Sequence, residues 1–317
     1  MNATTIPTIK HAKREDRFIV PVLILLLGAA ISGCTINRVS LLTREPAGKP
    51  IKASDVKVYP SFKELRAPWR LEGMISAYTM PIMSNTPEKR EALIKDTVAG
   101  LGINAIVGLQ PRVGENLKRV GRSIGILANT GTGAQAETDV APKFIICLPP
   151  VNFKIDKTPE ASELDQYLLE YVQFSFSYMK GYYVYRCDTQ GANNSSILQG
   201  SVDPQTLSEP IGIAPDYALL SDVEGYDEQG NIAVHRSFTL KLALTLYDLR
   251  EKKPVWSKTS VGISNRSVLF HILTFGGTAS ETSDEAQTVR SVLNQAMETL
   301  PEVKGFRPDG SIPTNKK

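Results

Sequence analysis

The clearest pattern in the chain is a strict alternation over residues 234–246. Val234, Arg236, Phe238, Leu240, Leu242, Leu244 and Leu246 fall on one face, and His235, Ser237, Thr239, Lys241 and Thr245 on the other. A period of two with one apolar face predicts a half-buried antiparallel strand. The polar stretch "DLREKKP" then predicts a hairpin turn into "VWSKTSVG", residues 255–262. Residues 143–150, "KFIICLPP", read as a buried strand stopped by prolines. Over residues 160–180, Leu164, Leu168, Tyr171, Val172 and Met179 share one helical side, and Gly181 ends the helix. "YYVYRC" (182–187) and "DYALLSDVEGY" (216–226) read as further strands. Residues 283–300 set Ala286, Val289, Leu293, Ala296 and Leu300 at helical spacing, and Pro301 stops them. The β-loop-α-β order predicts a parallel crossover unit joined to the antiparallel hairpin.

The preceding region has its own pattern. "DVKVYP" (55–60) and "RLEGMISAYT" (70–79) read as strands. A helix follows, with Thr86 as N-cap, Pro87 at the first helical position and an apolar stripe of Leu93, Ile94, Val98 and Leu101. Gly100 and Gly102 mark its end, and "NAIVGLQ" (104–110) and "RSIGILAN" (122–129) have strand length. The expected fold class is therefore α+β. Two small mixed α/β domains, residues 54–128 (β-β-α-β-β) and 143–301, are joined by a linker over 129–142. Residues 34–53 read as a tether and 302–317 as a disordered polar tail. The linker's "GTGAQA" matches a dinucleotide fingerprint only in letters, because no apolar helical stripe follows to aim a helix N-terminus at pyrophosphate.

The amino terminus obeys a third pattern. Lys10, Lys13, Arg14 and Arg17 precede an apolar run from Phe18 to Ser32, too short for the ~20 residues of a membrane helix. A basic head, a short apolar middle and small residues at the end are the parts of a secretion signal. The run closes Ile31-Ser32-Gly33-Cys34, which resembles the bacterial lipobox. That resemblance implies a signal peptide over residues 1–33, cleavage between Gly33 and Cys34, and a covalent diacylglycerol and acyl chain on Cys34. Several acyl chains anchor a protein stably where one does not. Thr35, in place of Asp after the cysteine, favours the outer membrane, with the body in the periplasm.

Composition narrows the chemistry. The formal charge of +3 falls to +1 once the leader's four basic and two acidic residues are removed, and no basic stripe is present to neutralise phosphates, so no nucleic acid is expected. With Cys34 assigned to lipid, Cys147 and Cys187 remain, forty residues apart. They lack the spacing of a metal site, so neither a metal nor a cofactor is expected. Two readings stay open for them: a disulfide of the oxidising periplasm, or two small apolar side chains on neighbouring strands. The letters G-x-S-x-G occur once, over Gly121–Gly125, but at the head of the strand-length run "RSIGILAN" and not at the sharp strand-to-helix turn that a nucleophile elbow needs. His235 lies on the polar face of its strand. Asp156, Glu160, Glu163 and Asp165 gather at a helix start, where the macrodipole favours acids. His271 lies in "SVLFHILTFGG" (267–277), either a buried connection or an exposed apolar loop. In the second case Phe270, Ile272, Leu273 and Phe275 are the partner-contact candidates.

Two further resemblances extend this reading. "LIKDTVAGLGINAIVGLQ" resembles the helix-to-strand signature of YbjQ/RcsF-like domains, with Gly102, Asn104, Ala105, Ile106 and Val107 in the matching places and Ile103 in place of an alanine. The pieces "ICLPPVNFKID", "MKGYYVYR", "PDYALLSDVEGY" and "LKLALTLYDLREKKPVWSKTS" resemble lipoproteins with a fold like CsgG, LpoB and the amino-terminal domain of TolB. There Trp256 is expected to pack back after the turn. The resemblances imply a non-enzymatic outer-membrane lipoprotein, a scaffold or accessory factor in envelope assembly or transport. Its partners would be the membrane, through its lipid, and envelope proteins; a homo-oligomer is compatible with the pattern. The alternative is a periplasmic ligand- or metal-sensing lipoprotein of an envelope stress response.

Overall fold

The computed structural model describes residues 35–41, 48–65, 68–79, 86–112, 121–131, 143–155, 161–187, 194–231, 235–266 and 284–303. These form two mixed sheets with helices, an α+β architecture.

The first sheet contains β1 (Thr35–Leu41), β2 (Lys57–Tyr59), β3 (Trp69–Thr79), β4 (Ala105–Arg112) and β5 (Gly121–Thr130), in the order β1-β3-β5-β4-β2. All neighbours are antiparallel except β2 and β4. The helix between β3 and β4, α1 (Pro87–Gly100), starts as its sequence requires. The Thr86 hydroxyl accepts the Lys89 N–H at 3.4 Å, and Pro87 occupies the first turn. Its inner side buries Ile94, Val98 and Ala99, while Leu93, on the flank of the stripe, is exposed. Residues 35–41, read in sequence as tether, instead form β1, paired with β3 along its whole length. Further along the same stretch, the Ile51 N–H donates to the Ala99 carbonyl. The strand carries only scattered apolar residues, and among the described residues it lies at the sheet edge.

The turn from α1 into β4 is held by side-chain amides. The Asn104 Oδ1 accepts the Thr130 N–H at 2.8 Å and its Nδ2 donates to the Thr130 carbonyl at 3.1 Å. The Asn104 N–H donates in turn to Asn129 Oδ1 at 3.0 Å. Asn129 Nδ2 donates to Glu72, a buried carboxylate at a β3 bulge that also pairs with Arg70. Asn104 thus substitutes for missing ladder bonds where the chain enters the sheet. Asn104→Ala should lower stability by about 2 kcal/mol, since it strands backbone groups of Thr130 that are partly shielded from water. A urea midpoint equal to that of the parent would show that these bonds contribute nothing.

The second sheet is built from β6 (Ile145–Leu148), β7 (Asn152–Phe153), β8 (Tyr183–Arg186), β9 (Tyr217–Asn231), β10 (His235–Asp248) and β11 (Lys253–Arg266). Its order is β11-β10-β9-β6-β8, with β7 added against β9. β6 runs parallel to both β8 and β9, so α2 (Ala161–Lys180) is the crossover of the β-α-β unit. Strands β9 to β11 are antiparallel. Phe238, Leu240, Leu242, Leu244 and Leu246 are all buried, as the alternation requires. α4 (Asp284–Met297) lies over β10 and β11 and packs against α2. Gly262 admits this approach: a Cβ there would stand 2.6 Å from Val292 Cγ2. Trp256 packs back as expected, its Nε1–H donating to Thr299 Oγ1 at 3.2 Å. Met179, in the last turn of α2, is exposed rather than part of that helix's apolar stripe. A short helix, α3 (Asn194–Leu198), and a 3₁₀ turn over Pro204–Leu207 follow β8, burying Ile197, Leu207 and Ile211.

One side of the first sheet shares a core with the second, with Met74, Val107, Ile124 and Ile126 in the same buried cluster as Tyr183, Tyr185 and Leu220, while Ile75, Ala77 and Leu127 on its other side form a separate cluster with Ile94 and Val98 of α1. Their contact is also specific. The Tyr183 hydroxyl donates to the Gly108 carbonyl at 2.8 Å and accepts from Gln110 Nε2 at 3.2 Å. Gln173 on α2 donates to Gln110 Oε1 at 3.1 Å. Gly108 sits at φ +60° in a β4 bulge, and a Cβ there would meet the Tyr183 hydroxyl at 2.5 Å. Arg38 of β1 lies 3.7 Å above the ring of Tyr178 and donates to its carbonyl.

Candidate functional site

Of the residues singled out in the sequence, Gly33, Cys34, Asp156, Glu160, Phe270, His271, Ile272, Leu273 and Phe275 lie outside the described residues. His235 and Glu163 are described in backbone only, on β10 and in the first turn of α2. The remaining candidates, Cys147, Cys187 and Asp165, fall at one end of the second sheet.

Cys147 lies on β6 in register with Tyr185, and Cys187 immediately follows β8, two residues beyond that partner. Their sulfurs are bonded, with the Cα atoms 5.4 Å apart and both side chains buried. The strand pairing brings them into reach; forty residues of sequence separation do not show it. The bridge lies toward the carboxyl ends of β6 and β8, the end where open α/β sheets hold ligands. There Asp165 pairs with Arg186 and accepts the Val151 N–H at 2.9 Å. Arg186 also donates to the Pro149 carbonyl at 2.8 Å. Asp165 therefore fixes the double-proline loop to α2, a structural task and not that of a free acid or base.

Beside it, Asp222 of β9 accepts from Asn152 Nδ2 at 2.7 Å and Asn194 Nδ2 at 3.2 Å, and pairs with Lys154 at 2.9 Å. Burial alone would raise its carboxyl, but the hydrogen bonds from Asn152, Lys154 and Asn194 outweigh that and hold it below the usual aspartate range. The sign follows directly. Its contribution to stability is complete above the unfolded value near ~4 and is lost as pH falls through the lowered folded value. Asp222→Asn should therefore flatten the acid limb of a stability-pH profile below about pH 4. An unchanged limb would exclude this carboxylate from acid unfolding.

The other end of the sheet is charged as well. Asp248 pairs with Lys143 and caps the β10–β11 turn, accepting the Arg250 and Glu251 N–H groups at 3.0 and 2.9 Å. Asp216 accepts the N–H groups of Phe144 and Ile145, while burial pushes its carboxyl up. Among the described residues no group of three or more His, Cys, Asp or Glu is placed to hold a metal ion. None of their helices is long and apolar enough to cross a membrane.

What the described surface offers instead is β11. Val255, Val261 and Ile263 are exposed on this edge strand, beside Ser257 and Thr259. An open groove of about 490 Å³ lies between α2 and α4, lined by Tyr171, Arg290, Ser291, Asn294 and Glu298 among others. Neither feature was legible in the sequence, because each depends on which elements end up as neighbours.

Together these features define an α+β body with a helix-covered mixed sheet and a bridged parallel pair. No protein-family model matches the chain, and the search of curated proteins found no match. Solved structures similar to it include the hypothetical protein CT253 from Chlamydia trachomatis, at 10% identity and a TM-score of 0.32, covering 49% of this chain and 94% of that one. Lipoprotein GNA1162 from Neisseria meningitidis is 18% identical with a TM-score of 0.30, over 49% of this chain and 99% of its own. A minor lipoprotein from Acinetobacter baumannii is 9% identical with a TM-score of 0.24, over 49% and 87%.

Proposed function

We propose that this chain is a non-enzymatic lipoprotein of the outer membrane, whose body binds envelope proteins in the periplasm as a scaffold or accessory factor in assembly or transport. The observation that carries the reading is how its ionisable groups are used. Asp165, Asp222 and Asp248 are each held by a cation and by amide donors, so their lone pairs serve the fold. The exposed β-branched residues of β11 leave surface for protein contact. The Ile31–Cys34 motif supports anchoring by a diacylglycerol on Cys34.

Two measurements test this. Cys34→Ser should abolish metabolic lipid labelling and leave the precursor uncut at that position; a normally labelled variant would remove the anchor from the proposal. Crosslinking in intact cells at native expression should recover a reproducible set of envelope proteins. Recovery of none would overturn the scaffold reading.

A further inference from the structure

Cys34 is one peptide bond from Thr35, and Thr35 is already part of the first sheet. β1 pairs with β3 from that residue onward, Thr35 opposite Thr79 and Leu41 opposite Gly73. Side chains fasten the strand as well. Asn37 Nδ2 donates to Thr97 Oγ1 of α1 at 2.7 Å, and the Arg38 guanidinium donates to the Tyr178 carbonyl of α2 at 2.9 Å. The seven residues of β1 are thus held by a strand and two helices. Free, they would form a leash of about 23 Å at ~3.3 Å per residue; in the ladder they add no slack.

The ladders carry the Thr35 row across the sheet, since Thr35 meets Thr79 and Thr79 meets Gly121. One residue further in, Arg122 of β5 stands opposite Arg112 of β4. Like charges directly opposite one another on neighbouring strands are destabilising, and an anion laid against both offsets that repulsion. α1 starts at this same end: its middle is held at Asn37, and it leads into Ala105, which lies opposite Ala128 at the far end of the ladder. Lys89, in its first turn, is exposed. Glu88 stands next to it in sequence, and Glu91 pairs with Lys95.

We propose that this end of the first sheet is the membrane face of the body. The proposal rests on the lipidation of Cys34 put forward above. The anchor holds Thr35, Thr79 and Gly121 flush against the leaflet, and Arg112 and Arg122 lie against its phosphate headgroups. The occupant follows from the chain itself. Acyl chains on Cys34 bring the bilayer within one residue of this row, and the two arginines have the sign that phosphates require. The lipid therefore does more than retain the protein: through a strand with no slack, it sets which way the body faces.

The test uses the mature lipidated chain in vesicles of phosphatidylethanolamine and phosphatidylglycerol that carry headgroup spin-labelled phosphatidylcholine. A fluorophore on Lys89→Cys should be quenched severalfold more than one on Ser54→Cys, an exposed position just before β2, which pairs with the far end of the ladder. Arg112→Gln with Arg122→Gln should lessen the difference. A flexible Gly-Ser insert between Cys34 and Thr35, added to those changes, should remove it. Equal quenching at the two positions in a chain whose lipid is confirmed by mass spectrometry would overturn the membrane face and leave the anchor standing. A chain that carries no lipid would end both. A difference untouched by the arginine changes would take Arg112 and Arg122 out of the contact, and one that survives the insert would show that the short tether does not set it.

Discussion

Replacing both Cys147 and Cys187 by alanine should destabilise the body by about 4 kcal/mol, the loop-closure entropy of a forty-residue loop. The size of the effect comes from where the bridge lies. β8 is a four-residue strand, and among the described residues it lies at the sheet edge and pairs only with β6, in parallel. Parallel pairing is the weaker kind, and the whole of α2 lies inside the loop that the bridge closes. Without the bond the unfolded chain regains the freedom of that loop, while the folded sheet loses its fastening. The urea midpoint of the double variant should fall by more than ~1 M, given a slope of about 1–3 kcal/mol per M for small proteins. A shift below ~0.3 M would mean that packing alone holds β8 in place.

Asp248→Ala should cost about 3 kcal/mol, near the lower bound for breaking a buried ion pair. Asp248 is 3% exposed and its partner Lys143 23%, so the carboxylate has left water almost wholly and the ammonium has not. Lys143 retains Glu251 at 3.3 Å after the change, which moderates the loss. Asp248→Asn separates the two tasks of the residue: it keeps an oxygen for the Arg250 and Glu251 N–H groups but gives up the charge, and should cost roughly half as much. The pair also predicts behaviour in alkali. Burial lowers the Lys143 ammonium, but hydrogen bonds and charge from Asp248 and Glu251 outweigh it and leave the group raised. A raised lysine stabilises fully below its unfolded value near ~10.4 and stops doing so as pH climbs through the folded one. Stability should therefore fall above about pH 10.5 in the parent and fall less steeply in Asp248→Asn. Equal slopes would show that Lys143 takes no part.

Local patterns were readable and pairings were not. The α1 cap at Thr86, the alternation of β10 and the crossover helix α2 each state their structure within a few residues. β1 escaped because "TINRVSL" has no continuous apolar run, and its strand conformation is imposed by β3 across the ladder. The bridge between Cys147 and Cys187 stayed open for the same reason, since only the β6–β8 register decides it. At the site, Asp165 was correctly placed at a helix start, yet its partner Arg186 is 21 residues away and its role as a clamp on the proline loop is a property of the assembled sheet. That Val261 and Ile263 are exposed, and that β11 is the last strand of its sheet among the described residues, likewise follow only from the assembled sheet.

The meeting of Gly108 with Tyr183 has a consequence for how this chain can change. A methyl group on Gly108 would strike the hydroxyl that holds the two sheets together, and the tyrosine in turn needs that carbonyl and Gln110. Neither half can be exchanged for a cousin's version on its own. A chimera joined anywhere between residues 131 and 143 must carry the glycine, the glutamine and the tyrosine as a matched set, so the two halves are bound to drift together.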